Sequence, residues 1–380
     1  MHLTSVQNIS NSKTSIYTIY LCLFFALFID QAKAQDYHYS LINNQPLVLN
    51  PALTGVFDFD FKHKDLRFAS LYRQQWTTIS SHYLDVPKPY HTTSFSIDGI
   101  LKRNKEVHGD YVGLGMSLAH DQAGDLKFKS QQINFSISYN KVLNRKRTRF
   151  ITLGFQGGLV NRSVNYTDGY FDNQWNGTSF NPALPTGENF PTDAYNYSDL
   201  STGLVYEQFD EGKPKFMVGV AYFHFNNPAQ RFYNESATKL GAKYVVHGLL
   251  DYPLSQKRDL VSHLVYSTQN GKSKTNIGSY YKLKTYEDKI MKQSIQLGGG
   301  LRITGDQQNF ASLDAIYLGL KMSKASFLWG ASYDINTSKL AGATSTVGSF
   351  ELSVIYYIDL YKSNHKLKKR RNKFKPKCID

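Results

Sequence analysis

The feature that most constrains this chain is an alternation of large apolar with small or polar residues, renewed many times between turn signals. Residues 150–165 read FITLGFQGGLVNRSVN, so Ile151, Leu153, Phe155 and Leu159 alternate with Thr152, Gly154, Gln156 and Gly158. At strand period the large side chains share one face and the small or polar ones the other. In a water-soluble sandwich the greasy face meets a second sheet. In an outer-membrane barrel it meets lipid while the small, polar face lines the lumen. This run by itself allows either.

The start of the chain favours the second. Residues 16–29, IYTIYLCLFFALFI, form an apolar run too short for a comfortable spanning helix, and Ala32-Lys33-Ala34 follows with small residues at the two cleavage-determining positions. This predicts a secretory signal peptide over 1–34, cut after Ala34. The long n-region holds Lys13 as its one cation, and the alternative reading is an anchor helix. Cys22 lies within the apolar run, not at its end, which argues against lipidation there. No later run reaches 18 or so apolar residues, which excludes a helical membrane protein and leaves a barrel open. The cut chain keeps Cys378 alone, so no disulfide framework forms within it.

Alternation and turn signals together predict strands over 66–75, 92–101, 111–120, 130–140, 150–161, 198–207, 216–225, 240–250, 260–268, 275–283, 293–303, 312–321, 326–334 and 349–358. The fold expected is therefore all-β: a transmembrane outer-membrane barrel of about 14 antiparallel strands over 66–358, after a periplasmic lead-in over 35–65. The 27 Tyr and 24 Phe suit aromatic girdles at two membrane interfaces, the alternative being an aromatic-rich β-sandwich. An even strand count with both termini in the periplasm makes the odd connections extracellular. These include the long ones, 76–91, 162–197, 226–239 and 335–348, although 269–274 is short; even connections such as 102–110, 141–149 and 209–215 stay short.

Charge is uneven. Of the net +14, the tail over 359–380 carries nine cations against Asp359 and Asp380, or +7. An exported chain does not meet nucleic acid, so the run 362–377, with Lys368, Lys369, Arg370 and Arg371 at its centre, is either a solvated tail or a partner-docking segment.

Several short elements occur in order. Asn50-Pro51-Ala52-Leu53-Thr54-Gly55 and Tyr72-Arg73-Gln74-Gln75-Trp76 resemble the NPAxxG and YRxQW elements of the PorP/SprF family of type IX secretion membrane proteins. The resemblance continues through Gly113-Leu114-Gly115 with His120-Asp121-Gln122-Ala123-Gly124, and through Leu153-Gly154-Phe155-Gln156-Gly157-Gly158 with Asn161-Arg162-Ser163. It goes on through Asp199-Leu200-Ser201-Thr202-Gly203 and Ser332-Tyr333-Asp334-Ile335-Asn336-Thr337-Ser338-Lys339-Leu340, and ends at Gly348-Ser349-Phe350-Glu351-Leu352-Ser353. It implies an outer-membrane barrel in a bacterium of the Bacteroidota, which serves secretion and surface attachment of large proteins, often gliding adhesins. The implied partners are secreted surface proteins, periplasmic components of the secretion machinery and outer-membrane lipid; no enzyme and no cofactor is implied. The basic tail departs from the family pattern.

Physically, Asn50-Pro51 forms a turn, because Pro fixes φ and pushes the residue before it out of the helical region, while Gly55 allows a reversed backbone. That turn either leads into the first strand or binds a partner. Arg73 falls in the small, polar, lumen-facing register, where a buried cation pairs with a carboxylate such as Asp98 or Asp121, and Trp76 is expected at an interface. The connection 162–197 holds eight aromatics, which suits either a lumenal plug or an outer binding surface. Asp168 and Asp172 match no calcium-loop spacing. No H-E-x-x-H, G-x-S-x-G or phosphate-loop motif is present. Two functions from different classes remain: a type IX secretion component, or a passive solute porin.

Overall fold

The computed structural model describes residues 36–62, 64–76, 90–103, 109–124, 126–190, 192–210, 212–232, 238–287, 292–306, 311–338, 341–342 and 344–360. The expected signal peptide, Lys339, and the basic run 362–377 with Lys368, Lys369, Arg370 and Arg371 lie outside the described residues.

Fourteen strands close into one antiparallel barrel. They are β1 (Leu66–Gln75), β2 (Tyr90–Arg103), β3 (Tyr111–Ala123), β4 (Phe128–Val142), β5 (Arg149–Ser163), β6 (Ala194–Gln208) and β7 (Lys215–Phe223), followed by β10 (Lys243–Ser255), β11 (Arg258–Gln269), β12 (Lys272–Glu287), β13 (Lys292–Gly305), β14 (Ser312–Lys324), β15 (Phe327–Asn336) and β16 (Val347–Ile358). A two-residue ribbon of β8 (Ala229–Gln230) and β9 (Thr238–Lys239) sits in the loop between β7 and β10. Each barrel strand pairs with its sequence neighbour, and β1 closes on β16 with Leu66 opposite Ile358 and Arg73 opposite Glu351.

All fourteen expected segments are barrel strands, most of them extended by a few residues. The exception is near 223–243, where the expected strands run to Phe225 and start at Leu240. There the pleat stops early because His224 has φ 56°, and Leu240 turns inward onto Val160 and Tyr197. Burial shows which solvent each face meets. In β4, Ile133, Phe135, Ile137 and Tyr139 are exposed, Phe135 at 63%, while Asn134, Ser136, Ser138 and Asn140 between them are buried. An apolar outside around a polar inside is what a barrel in lipid requires.

The lumen is filled, and the filling comes from the segment expected as a periplasmic lead-in. Residues 37–62 run inside the barrel as short helical turns at Ile42–Asn44, Pro46–Leu49, Pro51–Leu53 and Phe59–Phe61. Leu49, Ala52, Leu53 and Val56 pack on Val205, Met217, Ala221, Val245 and Val265 of the wall. Phe57 and Phe61 pack on Ala69, Leu328, Ile355 and Tyr357, with the Phe61 and Tyr357 rings stacked at 4.1 Å. Fully burying each large apolar side chain contributes about 1.5 to 3 kcal/mol, which no exposed lead-in would gain. The segment also crosses the lumen. Ser40 contacts Asp334 and Glu351 in the half of the barrel with the long loops, whereas Asp58 bonds Tyr357 near the strand ends where β1 starts and β16 stops. Tyr37 and Ile358 thus lie toward opposite mouths, not on one side as expected.

Candidate functional site

The site is the interface between this plug and the lumenal wall, built around the turn at residues 50–55. Asn50 is extended, and its Oδ1 accepts from Ala52 N at 2.9 Å, closing the turn that Pro51 starts. Its Nδ2 donates to Val220 O and to His247 Nε2, both at 3.0 Å. Thr54 donates through Oγ1 to Ser136 Oγ at 2.8 Å and accepts through its carbonyl from Ser138 Oγ at 2.6 Å. Gly55 has φ +70°, and its N donates to Asp98 Oδ2 at 2.7 Å. The small wall residues explain themselves here: a Cβ on Gly154 would overlap the backbone of Pro51 and Ala52, and one on Gly113 would lie 2.5 Å from Thr54 O. The small lumenal face of the alternation is the mould of the turn.

Two buried ionic clusters fix the plug to the wall. Toward the long loops, Glu351 accepts from Ser40 N at 2.7 Å and from Leu41 N at 2.8 Å, and from Arg73 Nη1 at 2.6 Å. Asp334 accepts from Ser40 Oγ, Ser349 Oγ and Arg302 Nη1, each at 2.7 Å, and lies 3.5 Å from Arg73. Arg302 also pairs with Asp314 at 2.6 Å. Toward the other mouth, Arg67 grips Asp98 through Nε at 2.9 Å and Nη2 at 2.8 Å while donating to Val56 O and Leu53 O. Lys282 pairs with Asp60 of the plug at 2.6 Å and with Asp251 at 3.3 Å, and Lys62 pairs with Glu207. At the start of the plug, toward the long loops, Tyr39 is buried and His38 half-buried. Burial together with the cations Lys274, Arg73, Arg302 and Lys243 holds the His38 imidazole well below its ordinary pKa, so it is neutral at pH 7; burial raises the Tyr39 hydroxyl.

Arg73 therefore pairs with Glu351 and Asp334, and not with Asp98 or Asp121 as expected. Register is the cause: Arg73 faces Glu351 across the closing β1:β16 seam, while Asp98 lies opposite Arg67, and Asp121 accepts from Thr92 Oγ1 at 2.6 Å.

Of the residues singled out in the sequence, Asn50, Pro51, Gly55, Arg73 and Asp334 meet at the plug interface. The others lie apart. Tyr72 is on the outer face, its hydroxyl 3.0 Å from His91 Nδ1. Trp76 follows β1 with φ 60° and its ring 4.8 Å from Tyr90. Gly124 makes the β3–β4 turn at φ +71°. Gln156 is lumenal and reaches Ser117 at 3.4 Å, whereas a Cβ on Gly157 would meet Leu200 at 3.4 Å. Arg162 lies 5.5 Å from the Tyr197 ring, and Ser338 closes a turn on Asn336 Oδ1.

Sequence reasoning missed Ser40, Arg67, Lys282, Arg302 and the role of Glu351. Each wall residue among them sits in a lumenal register between lipid-facing apolar residues, which was the available signal: a charge inside an alternating strand needs a partner across the lumen.

The connection over 164–193 stands outside as a small ordered lobe. Tyr166 stacks on Phe190 at 3.9 Å with Phe171 beside it at 5.2 Å, and buried Gln174 donates to Leu184 O at 3.1 Å. Asp168 pairs with Lys127 at 2.7 Å, and no group of three or more metal-ligating side chains that could hold an ion occurs among the described residues.

A family model described as type IX secretion system membrane protein PorP/SprF matches residues 31–356. None of the curated proteins compared matches. Among solved structures, the Ralstonia pickettii toluene transporter TbuX is similar at 11% identity and TM-score 0.45, over 82% of this chain and 92% of that one. A Pseudomonas aeruginosa FadL homologue is similar at 8% identity and TM-score 0.43, over 81% and 92%. The β domain of the Bordetella autotransporter BrkA is similar at 12% identity and TM-score 0.38, over 77% and 98%.

Proposed function

We propose that this chain, which belongs to the PorP/SprF family of type IX secretion system membrane proteins, is an outer-membrane component that receives and holds secreted surface proteins such as gliding adhesins. The observation that carries this reading beyond the family is the filled lumen. A plug tied by Ser40 and Leu41 to Glu351, by Leu53 and Val56 to Arg67, and by Asp60 to Lys282 leaves the barrel as a rigid platform, which supports a docking role over passive solute flow. In this reading the barrel belongs to an exported protein of the Bacteroidota, its short-turn mouth faces the periplasm, and the long loops meet the cargo outside. The basic tail with Lys368, Lys369, Arg370 and Arg371 then leaves on the periplasmic side to dock on an acidic partner, an attachment that weakens as salt rises. The deciding experiment is gene deletion: a specific surface protein is lost from the cell surface while small-solute permeability stays unchanged. Normal surface display with reduced solute uptake would overturn the reading in favour of a porin.

A further inference from the structure

We propose that the lobe over 164–193 is a binding surface for a cationic polypeptide segment, whose Lys and Arg side chains stack on Tyr170, Trp175 and Phe180 and pair with Asp172, Glu188 and Asp193. The three rings are 51%, 49% and 43% exposed, with Phe180 centred 5.3 Å from Tyr170 and 5.0 Å from Trp175. Rings that large are normally covered when a loop folds, and here the lobe has a separate interior of Tyr166, Phe171 and Phe190 that leaves them outside.

Charge says what covers them. The lobe holds four carboxylates and no Lys or Arg, in a chain with 44 of the latter. Asp168 is satisfied by Lys127, but Asp172, Glu188 and Asp193 are exposed and their carboxylates have no partner among the described residues. A π face and a free carboxylate both attract ammonium and guanidinium groups, whereas an anionic lipid surface is repelled. The platform is also preorganised. The backbone bridge between Trp175 and Phe180, and Asn176 Oδ1 accepting from Thr178 N and Ser179 N, hold the rings in place before any partner arrives.

The choice of a polypeptide as occupant rests on the secretion reading. The binding test does not, because it uses the purified full chain in detergent. The probes are a synthetic decapeptide of alternating Lys and Gly, its Glu–Gly counterpart, maltohexaose, and phosphatidylglycerol vesicles, each titrated against tryptophan fluorescence, with Trp175→Phe identifying the reporting ring. The lysine peptide is expected to bind, less tightly as salt rises. The triple variant Asp172→Asn/Glu188→Gln/Asp193→Asn and the single variant Phe180→Ala, which keeps the reporting ring, are each expected to weaken it about tenfold or more. All these positions are on the exposed lobe, so the barrel stays folded, which heat-modifiable gel mobility confirms. Unchanged affinity in the triple variant overturns the proposal, as does a Trp175 signal from the glutamate peptide, the sugar or the vesicles in place of the lysine peptide. Normal surface display after gene deletion would overturn the secretion reading while leaving this measurement standing.

Discussion

Glu351→Gln is the sharpest perturbation of the plug, because one carboxylate serves three donors. Oε1 accepts from Ser40 N and Arg73 Nη1, and Oε2 accepts from Leu41 N. An amide keeps one oxygen, so whichever way it turns its NH2 meets a buried donor, at a cost of roughly 1 to 3 kcal/mol. Arg73 meanwhile loses its full counter-charge, and Asp334 at 3.5 Å is already shared with Arg302. Removing one partner of a buried ion pair costs roughly 3 to 5 kcal/mol, which contains the first cost. That is about a thousandfold shift in favour of the displaced plug, at 1.4 kcal/mol per decade. The β1:β16 seam itself is held by the backbone ladder and persists. Planar-bilayer recording should show openings absent from the wild type, and limited proteolysis should cut residues 37–62 while sparing the strands. Arg73→Met/Glu351→Leu, which removes both charges, should open less than Glu351→Gln. A Glu351→Gln barrel that stays closed and protease-resistant would refute the claim that this cluster anchors the plug.

Gly154→Val should also expel the turn, because its side chain needs the space of Pro51 and Ala52; raised conductance with an intact barrel checks this. Phe135→Arg, on the lipid face, should cost roughly 2 to 4 kcal/mol if the site is near mid-membrane, read by urea unfolding in bilayers. Lumenal Ser353→Arg should not be the benign change that an open lumen would allow, because Ser353 Oγ accepts from Asn44 Nδ2 at 2.7 Å within the packed interior. Because the folded state keeps His38 neutral and the unfolded chain protonates it near pH 6.5, stability should hold above that pH and fall below it, by up to about 1.4 kcal/mol per unit. His38→Gln should flatten that part of the melting profile, and an unchanged slope would mean that another group is responsible.

Strand number and the two faces were legible in the residues because side-chain period and turn chemistry are local. Ile133, Phe135 and Ile137 against Asn134, Ser136 and Ser138 specify a strand with two different solvents whatever surrounds it. The order of motifs such as Asn50-Pro51 and Tyr72-Arg73 likewise carried the family. The chain's own residues could not show that 37–62 fill the barrel: with no strand alternation and several turn formers, the segment reads as a connector, and its burial exists only once a wall encloses it. The partners of Arg73 were hidden for a related reason. Glu351 is 278 residues away, and only the register of β1 on β16, fixed when the barrel closes, brings the two within 2.6 Å. Local periodicity determined the strands, while the seam and the packed lumen, which depend on contacts between distant parts of the chain, were decided by tertiary structure alone.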